Sequence, residues 1–595
     1  MKKEKIDNSI EIVYDIEFKN ENIKKIFSEK KHESNWPVVY ILYNKTLRSV
    51  YIGETTNFKK RMSEHLEDAR KKCYNRVLYI DYRQANKSTN LEIEAALIRG
   101  MSADKYIPDN VQKCSNRYNN YYNKRNTEKI FEIIWNALRD KVGIVENVYK
   151  DMIQKNEYKY SPYINLNDKQ NEVVERIISN LTENQKDGKK ILIEGAAGTG
   201  KTAIALHLFK RITDYSYSDN IITEDMVNKS LDQVEKIVET FSSKKGKKYT
   251  IGYVAPMKNF CTIIRKSIKN IPGLKKKDLK YNKNYFNEDD LDVLRVYSGS
   301  ELSKLYEYIK KDEKIFDLLI VDETHRLNRR YNLSNGNQYL QFDRMNKKMG
   351  LPFEKCKNDG NQLDWILKLS KNQVFFYDEN QSIRSSDIPK EYIIEKLKNP
   401  TYFEKLTVQE RCLGGEAYIE YVKNIFSEKP PKKRKIFQGY NIKIYDEYKE
   451  FEKKIKSMNE NLNEGKAIKA SGYFFDKTGT EIEGCKIDWN STEIDWINKK
   501  NKFNEVGCIH VLGGVEADYV GVIIGDEIDY DATNKKIIVN KKKYKDVVGK
   551  KAILNDEELV KFVENIYYIL LTRGLKGTFI YVRNNEMKKY LKKYF

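Results

Sequence analysis

Residues 38 to 43, VVYILY, are an apolar run of strand length, and a turn over Asn44 to Arg48 leads into Ser49-Val-Tyr-Ile52, which stops at Gly53. Two such runs across a short polar turn predict a hairpin. Phe58, Met62 and Leu66 then fall on one face of a helix, with Arg61 and His65 one turn apart and Thr55 or Thr56 as the expected cap. A strand is expected over Arg76 to Tyr82 and a helix over Asn90 to Met101, where Glu94 stands among apolar residues. The polar stretch Asn116 to Asn126 is punctuated for a loop. Beyond it Ile130, Ile133, Ile134, Ala137 and Leu138 repeat at helical spacing, so this part predicts a tether and a helical spacer.

In the remaining chain, apolar strand-like runs alternate with helical patterns. A helix is expected from Leu166 to about Leu181, a short buried strand over Ile191 to Ile193, and a helix over Ala203 to Ile212. Ile251 to Pro256, Phe316 to Val321, Gln373 to Tyr377 and the segment ending at Ile524 carry further runs of parallel-strand type. The expected class is α/β, with a small α+β unit in front. Long insertions are expected over 214–249, helical by pattern, and over 329–362.

Composition adds a partner. The 595 residues are 40% apolar, enough for real cores, and carry a net charge of +22. That charge favours a polyanion, nucleic acid before an anionic membrane surface, although a Lys-rich chain can also reflect genome composition. Seven cysteines without a C-x-x-C pair suit neither a disulfide framework nor a zinc site, and a reducing cytoplasm is the expected compartment. The start, Met1-Lys-Lys-Glu-Lys5, lacks an apolar signal-peptide region, and no apolar run is long enough to span a membrane.

The chemistry centres on Gly195-Ala-Ala-Gly-Thr-Gly-Lys-Thr202, between a strand and a helix. Gly195, Gly198 and Gly200 let backbone N–H groups close around a phosphate chain; Lys201 can reach the β- and γ-phosphates and Thr202 can hold Mg²⁺. Asp322, at the end of its strand, suits the Mg²⁺ shell, and Glu323 can polarise the attacking water. Gln381 could sense the γ-phosphate and Gln170 could read the adenine edge. The cofactors expected here are ATP and Mg²⁺.

Two resemblances go further. Val38-Val39-Tyr40, then Tyr51-Ile52-Gly53-x-Thr55, Arg61, His65 and the helix around Glu94 resemble the GIY-YIG endonuclease family. The resemblance implies Tyr40 as water activator or its orienter, with Tyr51 as its hydrogen-bonded partner. It implies Arg61 on the scissile phosphate, His65 assisting, and Glu94 as ligand of a nuclease Mg²⁺. Val38 stands where glycine is usual, and Asn110 follows Pro108 by two residues where the family has three.

Beyond residue 161 the ordered series of the phosphate loop, Asp322-Glu-Thr-His325, Asp378-Glu-Asn-Gln381, Gln409-Glu-Arg411, the segment Ile509 to Ile524 and Thr572-Arg573 resembles superfamily-1 helicases. The likeness is to a bacterial branch related to the helicase part of Schlafen proteins. It implies two RecA-like parallel-sheet lobes, Arg411 and Arg573 as arginine fingers, and Glu516 and Asp518 where ATP state is coupled to strand grip. Gly513 replaces the usual glutamine, and no Trp follows Gln381, so translocation or a one-shot remodelling switch fits as well as processive unwinding.

The expected organisation is an extension over 1–34, a nuclease over 35–115, a linker and spacer over 116–160, and lobes over 161–400 and 401–595. The expected function is an ATP-driven nucleic-acid motor joined to a Mg²⁺-dependent endonuclease acting on DNA, in bacterial antiphage defence. Alternatives are a DNA-repair nuclease, an RNA-directed nuclease, and an ATP-regulated sensor that does not cut. A homo-oligomer or a partner protein is also open.

Overall fold

A computed structural model of the chain describes residues 2–6, 9–23, 37–104, 106–108, 124–182, 188–217, 250–269, 296–309, 314–333, 335–353, 358–407, 412–460, 467–476, 479–492, 496, 504–513, 517–551 and 556–595. The chain divides into two compact units, one of residues 1–182, 206–248 and 264–294, the other of 183–205, 249–263 and 295–595. Among the described residues no helix is long and apolar enough to cross a membrane.

The first unit is built on a six-stranded sheet in the order β1-β2-β5-β3-β4-β6. Its strands are β1 (Lys2–Lys5), β2 (Ile10–Glu17), β3 (Val38–Asn44), β4 (Ser49–Thr55), β5 (Arg76–Tyr82) and β6 (Ile107–Pro108). The expected hairpin is β3 and β4, in a register that sets Tyr40 opposite Gly53 and Leu42 opposite Tyr51. β3 is buried along its whole length because both sheet faces are covered. Val39, Ile41 and Tyr43 join one apolar cluster, while Val38, Tyr40 and Leu42 join another with Phe58 and Met62. That division follows the two-residue period of a strand.

Several expectations are corrected here. The helix Phe58–Glu67 is capped by Asn57, whose side chain accepts from Lys60 N at 3.0 Å, and Thr55 Oγ1 instead accepts from Asn57 N. The helix expected over 90–101 runs from Lys87 to Ala103, with Asn86 as its cap. Residues 1–34 are more than an extension, since β1 and β2 lie in the sheet, β2 against β5.

The expected spacer is likewise core. Ile130, Phe131, Ile134 and Trp135 of the helix Lys124–Ala137 share a cluster with Val39, Ile41 and Leu97. A Cβ added to Gly100 would lie 2.5 Å from the Trp135 ring, so glycine is what lets the two helices meet. The expected loop over 116–126 lies outside the described residues up to residue 123.

The second unit holds two larger sheets. One, in the order β12-β7-β11-β10-β8-β9, pairs β7 (Lys190–Gly195), β8 (Ile251–Val254), β9 (Val296–Tyr297), β10 (Phe316–Val321), β11 (Ser370–Tyr377) and β12 (Tyr402–Leu406), all parallel. The other runs β13-β21-β18-β14-β17-β16-β15. It comprises β13 (Asn441–Tyr445), β14 (Ala467–Ser471), β15 (Thr480–Ile482), β16 (Cys485–Trp489), β17 (Glu505–Cys508), β18 (Ala517–Ile524) and β21 (Gly574–Val582). Only β15 and β16 pair antiparallel in that sheet among the described residues. β19 (Ile528–Asp531) and β20 (Lys536–Val539) form a separate hairpin. The insertion expected over 329–362 contains the helix Gly336–Met349, capped by Asn335. Of the insertion expected over 214–249, residues 218–249 lie outside the described set. The protein is therefore mixed α/β, a small α+β part followed by parallel-sheet lobes.

Candidate functional site

Two separate clusters of polar chemistry are built on these sheets. In the first unit, β3 supplies Tyr40, β4 supplies Tyr51, the helix Phe58–Glu67 supplies Arg61 and His65, and the helix Lys87–Ala103 supplies Glu94. Tyr40 Oη lies 2.8 Å from His65 Nε2, and Arg61 Nε donates to the same oxygen at 3.4 Å. The His65 ring stands edge-on to Tyr51 at 5.1 Å between centroids. A Cβ at Gly53 would sit 2.5 Å from Tyr40 Cζ, so the glycine makes room for the phenol that crosses it. Tyr40 is 1% exposed, while Tyr51 keeps partial access to solvent.

Burial pushes the Tyr40 phenol well above its ordinary range, and neighbouring Tyr51 adds to that rise. Burial also raises Tyr51; the Arg61 guanidinium opposes the rise, Glu94 adds to it, and hydrogen bonding from Arg61 and Tyr40 opposes it again. Burial would lower the charge retention of Arg61, but the Tyr40 and Glu64 oxygens hold the guanidinium charged. Glu94 is buried. Among the described residues no group of three or more His, Cys, Asp and Glu gathers as a metal cage. A single buried carboxylate still fits Mg²⁺, which takes one or two carboxylates and otherwise water and substrate oxygens. Asn110 lies outside the described residues.

In the second unit the carboxyl ends of β7, β11 and β10 stand side by side, which is where an open α/β sheet presents its ligand residues. The loop after β7 turns through Gly198 and Gly200 at φ +84° and +85°, left-handed values that exclude most side chains. A Cβ at Gly195 would meet Thr199 Oγ1 at 2.5 Å. This cradle at the N-terminus of the helix Lys201–Tyr217 fits a triphosphate. Lys201 Nζ donates to Gly195 O at 2.6 Å and Ala196 O at 2.9 Å.

Asp322 is fully buried and accepts from Tyr253 Oη at 2.9 Å. Burial, with the Glu323 carboxylate beside it, raises its carboxyl; hydrogen bonding from Thr202 and Tyr253 opposes the rise. Thr202 and Asp322 are thus neighbours, a donor pair that suits the Mg²⁺ of a nucleotide. Burial would raise Glu323 too, but His325, whose Nε2 lies 2.8 Å from Glu323 Oε2, holds it below the usual carboxylate range together with Lys201 and Arg326. Glu323 also sits at φ +51°, a left-handed backbone that non-glycine residues seldom adopt.

Gln381 donates through Nε2 to Asp378 Oδ2 at 2.6 Å. Asp378, 3.6 Å from Lys201, and His325, beside Glu323, were given no role from sequence, and the strand-end rule applied to Asp322 could have singled them out. Arg326 and His510 were given no role from sequence for a different reason. Arg326 pairs with Asp387 at 3.1 Å, and its Nη2 stands 3.4 Å from His510 Nδ1. Arg384 Nε donates to His510 Nε2 at 2.8 Å, so one imidazole joins loops of both large sheets. Burial and the two guanidiniums push His510 well below its ordinary range. No sequence spacing marks such a contact.

Arg573 is buried, and its guanidinium donates to Leu512 O. Asp518 is 3.1 Å from Lys576. At Gly513 a Cβ would meet Met257 Sδ at 2.8 Å. Gln170, on the helix Asp168–Thr182, accepts from Asn167 N at 3.0 Å through its side chain. Arg411 and Glu516 lie outside the described residues. Lys432 to Lys435 are exposed.

Residues 188–584 match the family model described as Schlafen group 3, DNA/RNA helicase domain, and residues 37–106 match the GIY-YIG catalytic domain. An uncharacterized protein of Saccharomyces cerevisiae (YPL245W) is 22% identical over 475 residues, 72% of this chain and 90% of that protein. Among solved structures, the DEAD-box helicase Mss116 bound to ssRNA and UDP-BeF is 12% identical at a TM-score of 0.34, over 74% of this chain and 76% of that one. The ATP-dependent Type ISP restriction-modification enzyme LlaBIII bound to DNA is 13% identical at a TM-score of 0.29, over 72% of this chain and 32% of that one. Both scores lie too low to bear on fold or substrate.

Proposed function

This chain belongs to the family described as Schlafen group 3, DNA/RNA helicase domain, and from that premise we propose that its ATPase moves or remodels nucleic acid for a hydrolytic nuclease on the same chain. The protein is a nuclease–helicase fusion, an endonuclease and ATPase that uses ATP and binds nucleic acid. The finer proposal is Mg²⁺-dependent hydrolysis of DNA phosphodiesters. The observation that carries it is the convergence on the Tyr40 hydroxyl of His65 at 2.8 Å and Arg61 at 3.4 Å, with Tyr51 alongside.

Arg61 binds the scissile phosphate and neutralises charge as it grows. The phenols are raised by burial, so neither is a free base near neutrality. They act instead as a relay: the attacking water gives its proton to Tyr51, Tyr51 passes its own to Tyr40, and Tyr40 to His65 Nε2. The water oxygen forms the new bond to phosphorus, the bridging P–O bond breaks, and the leaving oxygen takes a proton from solvent. Glu94 would hold a divalent cation, which supplies Lewis-acid stabilisation of that leaving oxygen.

On the ATP side, Lys201 and the glycine loop bind phosphates, Thr202 and Asp322 would hold Mg²⁺, and Glu323, kept ionised by His325, orients the water. Arg573 and Arg411 are the proposed arginine fingers, Gln381 the γ-phosphate sensor, Gln170 the adenine reader, and Glu516 and Asp518 the coupling residues.

The test is cleavage of linear duplex, single-stranded and forked DNA, and of single-stranded RNA, with Mg²⁺ and with or without ATP, beside Glu94→Ala and Lys201→Ala. Cutting of DNA lost in Glu94→Ala is the expected result; cutting of RNA alone would reassign the substrate, and no cutting would leave an ATP-regulated binder. For the setting we assign cytoplasmic defence against foreign DNA, supported by the joining of cutter and motor. Phage plaques on a bacterial host should fall with the wild-type chain and not with Glu94→Ala; equal numbers would remove this role.

A further inference from the structure

Lys71 belongs to the short 3-10 turn Ala69–Cys73, where it is followed by a second lysine. The two differ sharply in placement: Lys72 is exposed, while Lys71 is 7% exposed. The Lys71 ammonium stands 3.6 Å from the centroid of the Tyr51 ring and 5.6 Å from that of Tyr74. A lysine stem is normally kept along apolar surface with its charge in water, so an ammonium drawn under the face of a partly exposed phenol is a specific arrangement. The turn itself is held to this depth by backbone bonds, Lys71 N to Asp68 O at 2.9 Å and Tyr74 N to Lys71 O at 3.1 Å.

The contact falls on the outer member of the proposed relay. The Tyr51 ring stands nearly perpendicular to the His65 ring at 5.1 Å and tilted to the Tyr40 ring at 6.3 Å between centroids, and Lys71 covers its face. Ring–ring and cation–ring contacts together fix the plane of a phenol, and hence where its hydroxyl points. A cation on the face does so without taking up the hydroxyl, which Arg61 and Tyr40 address by hydrogen bonding. We infer that Lys71 is a positioning residue of the nuclease site: its ammonium, seated on the face of Tyr51, holds that phenol in line between the attacking water and Tyr40. The inference rests on the nuclease reading.

The charge, rather than the bulk, does the holding, which separates this role from packing. Lys71→Met keeps an unbranched stem of similar length and removes the cation. In the full chain, with the DNA cut by the wild type, Lys71→Met should lower kcat of cleavage about tenfold, the scale of one desolvated cation–ring contact, and leave KM and ATP turnover unchanged. Lys71→Arg, which can also lie on a ring face, should restore most of the rate, and Lys72→Met should match the wild type. Wild-type kcat in Lys71→Met, or equal loss in Lys71→Arg, overturns the inference. A wild-type chain that cuts none of the substrates removes the nuclease reading instead. A second readout is independent of cutting: the ¹⁹F resonance of 3-fluorotyrosine placed at position 51 should move in Lys71→Met and stay in Lys72→Met. A resonance unmoved by Lys71→Met overturns the inference whatever the cleavage rate.

Discussion

Lys201 Nζ stands 3.6 Å from Asp378 Oδ2, with the two side chains 6% and 3% exposed. The lysine that the phosphate loop offers to a nucleotide is thus shared between two loop carbonyls and a buried carboxylate, which in turn holds Gln381. Triphosphate oxygens would compete for the same ammonium. Asp378→Ala should tighten ATP binding, because Lys201 is released, and lower kcat of hydrolysis about tenfold or more, because Gln381 loses its anchor. Fluorescent-nucleotide titration and steady-state ATPase assays check both halves, and unchanged kcat would remove Asp378 from the machinery.

Asp322, as the proposed Mg²⁺ ligand, should make ATP turnover sensitive to acid. Burial and the neighbouring Glu323 raise its carboxyl, so it takes up a proton at higher pH than an ordinary aspartate. A metal-binding carboxylate must be deprotonated, so proton and Mg²⁺ compete. Turnover should fall as pH drops below neutrality, and more Mg²⁺ should shift that fall to lower pH. An acid limb indifferent to Mg²⁺ concentration would place the titrating group elsewhere.

The cleavage profile should behave differently. Burial raises Tyr40 and Tyr51 above the ordinary phenol value, so both stay protonated to high pH. A relay that passes protons through neutral phenols predicts a rate nearly flat from about pH 8 to about pH 9.5. A rate rising tenfold per pH unit there would mean that a free phenolate does the work.

Gly53→Ala sets a methyl group against Tyr40, within 2.5 Å of Cζ. The phenol must move off His65, and displacement by about 1 Å typically costs around 100-fold in rate. DNA cleavage should fall on that scale while ATP turnover holds. Full cleavage would show that Tyr40 need not stay in place.

Trp135 is fully buried, lies over Gly100, and donates from Nε1 to Asn147 O at 2.8 Å. Trp135→Ala should cost about 3–5 kcal/mol of the first unit's stability. Hydrogen exchange should then rise in β3 and β5 as well as in the helix Lys124–Ala137. Exchange confined to that helix would mean a spacer after all.

The sequence alone determined whatever depends on local order. The hairpin of β3 and β4 is legible because a turn joins two apolar runs, and the phosphate loop because glycine, lysine and threonine must be contiguous to wrap phosphates. Tyr40, Tyr51, Arg61, His65 and Glu94 could be singled out because their spacing follows a known pattern, and the fold brings the first four together. Tertiary structure decided what depends on packing between distant segments. β2 enters the sheet through pairing with β5, and Trp135 packs closely over Gly100. Lys71 differs from Lys72 only in which side of a turn faces inward, and His510 meets Arg326 and Arg384 only when two sheets are in place. A periodicity records which face of an element is apolar; it carries no record of which other element will cover that face, and burial, charge contact and proton affinity are all set by the second choice.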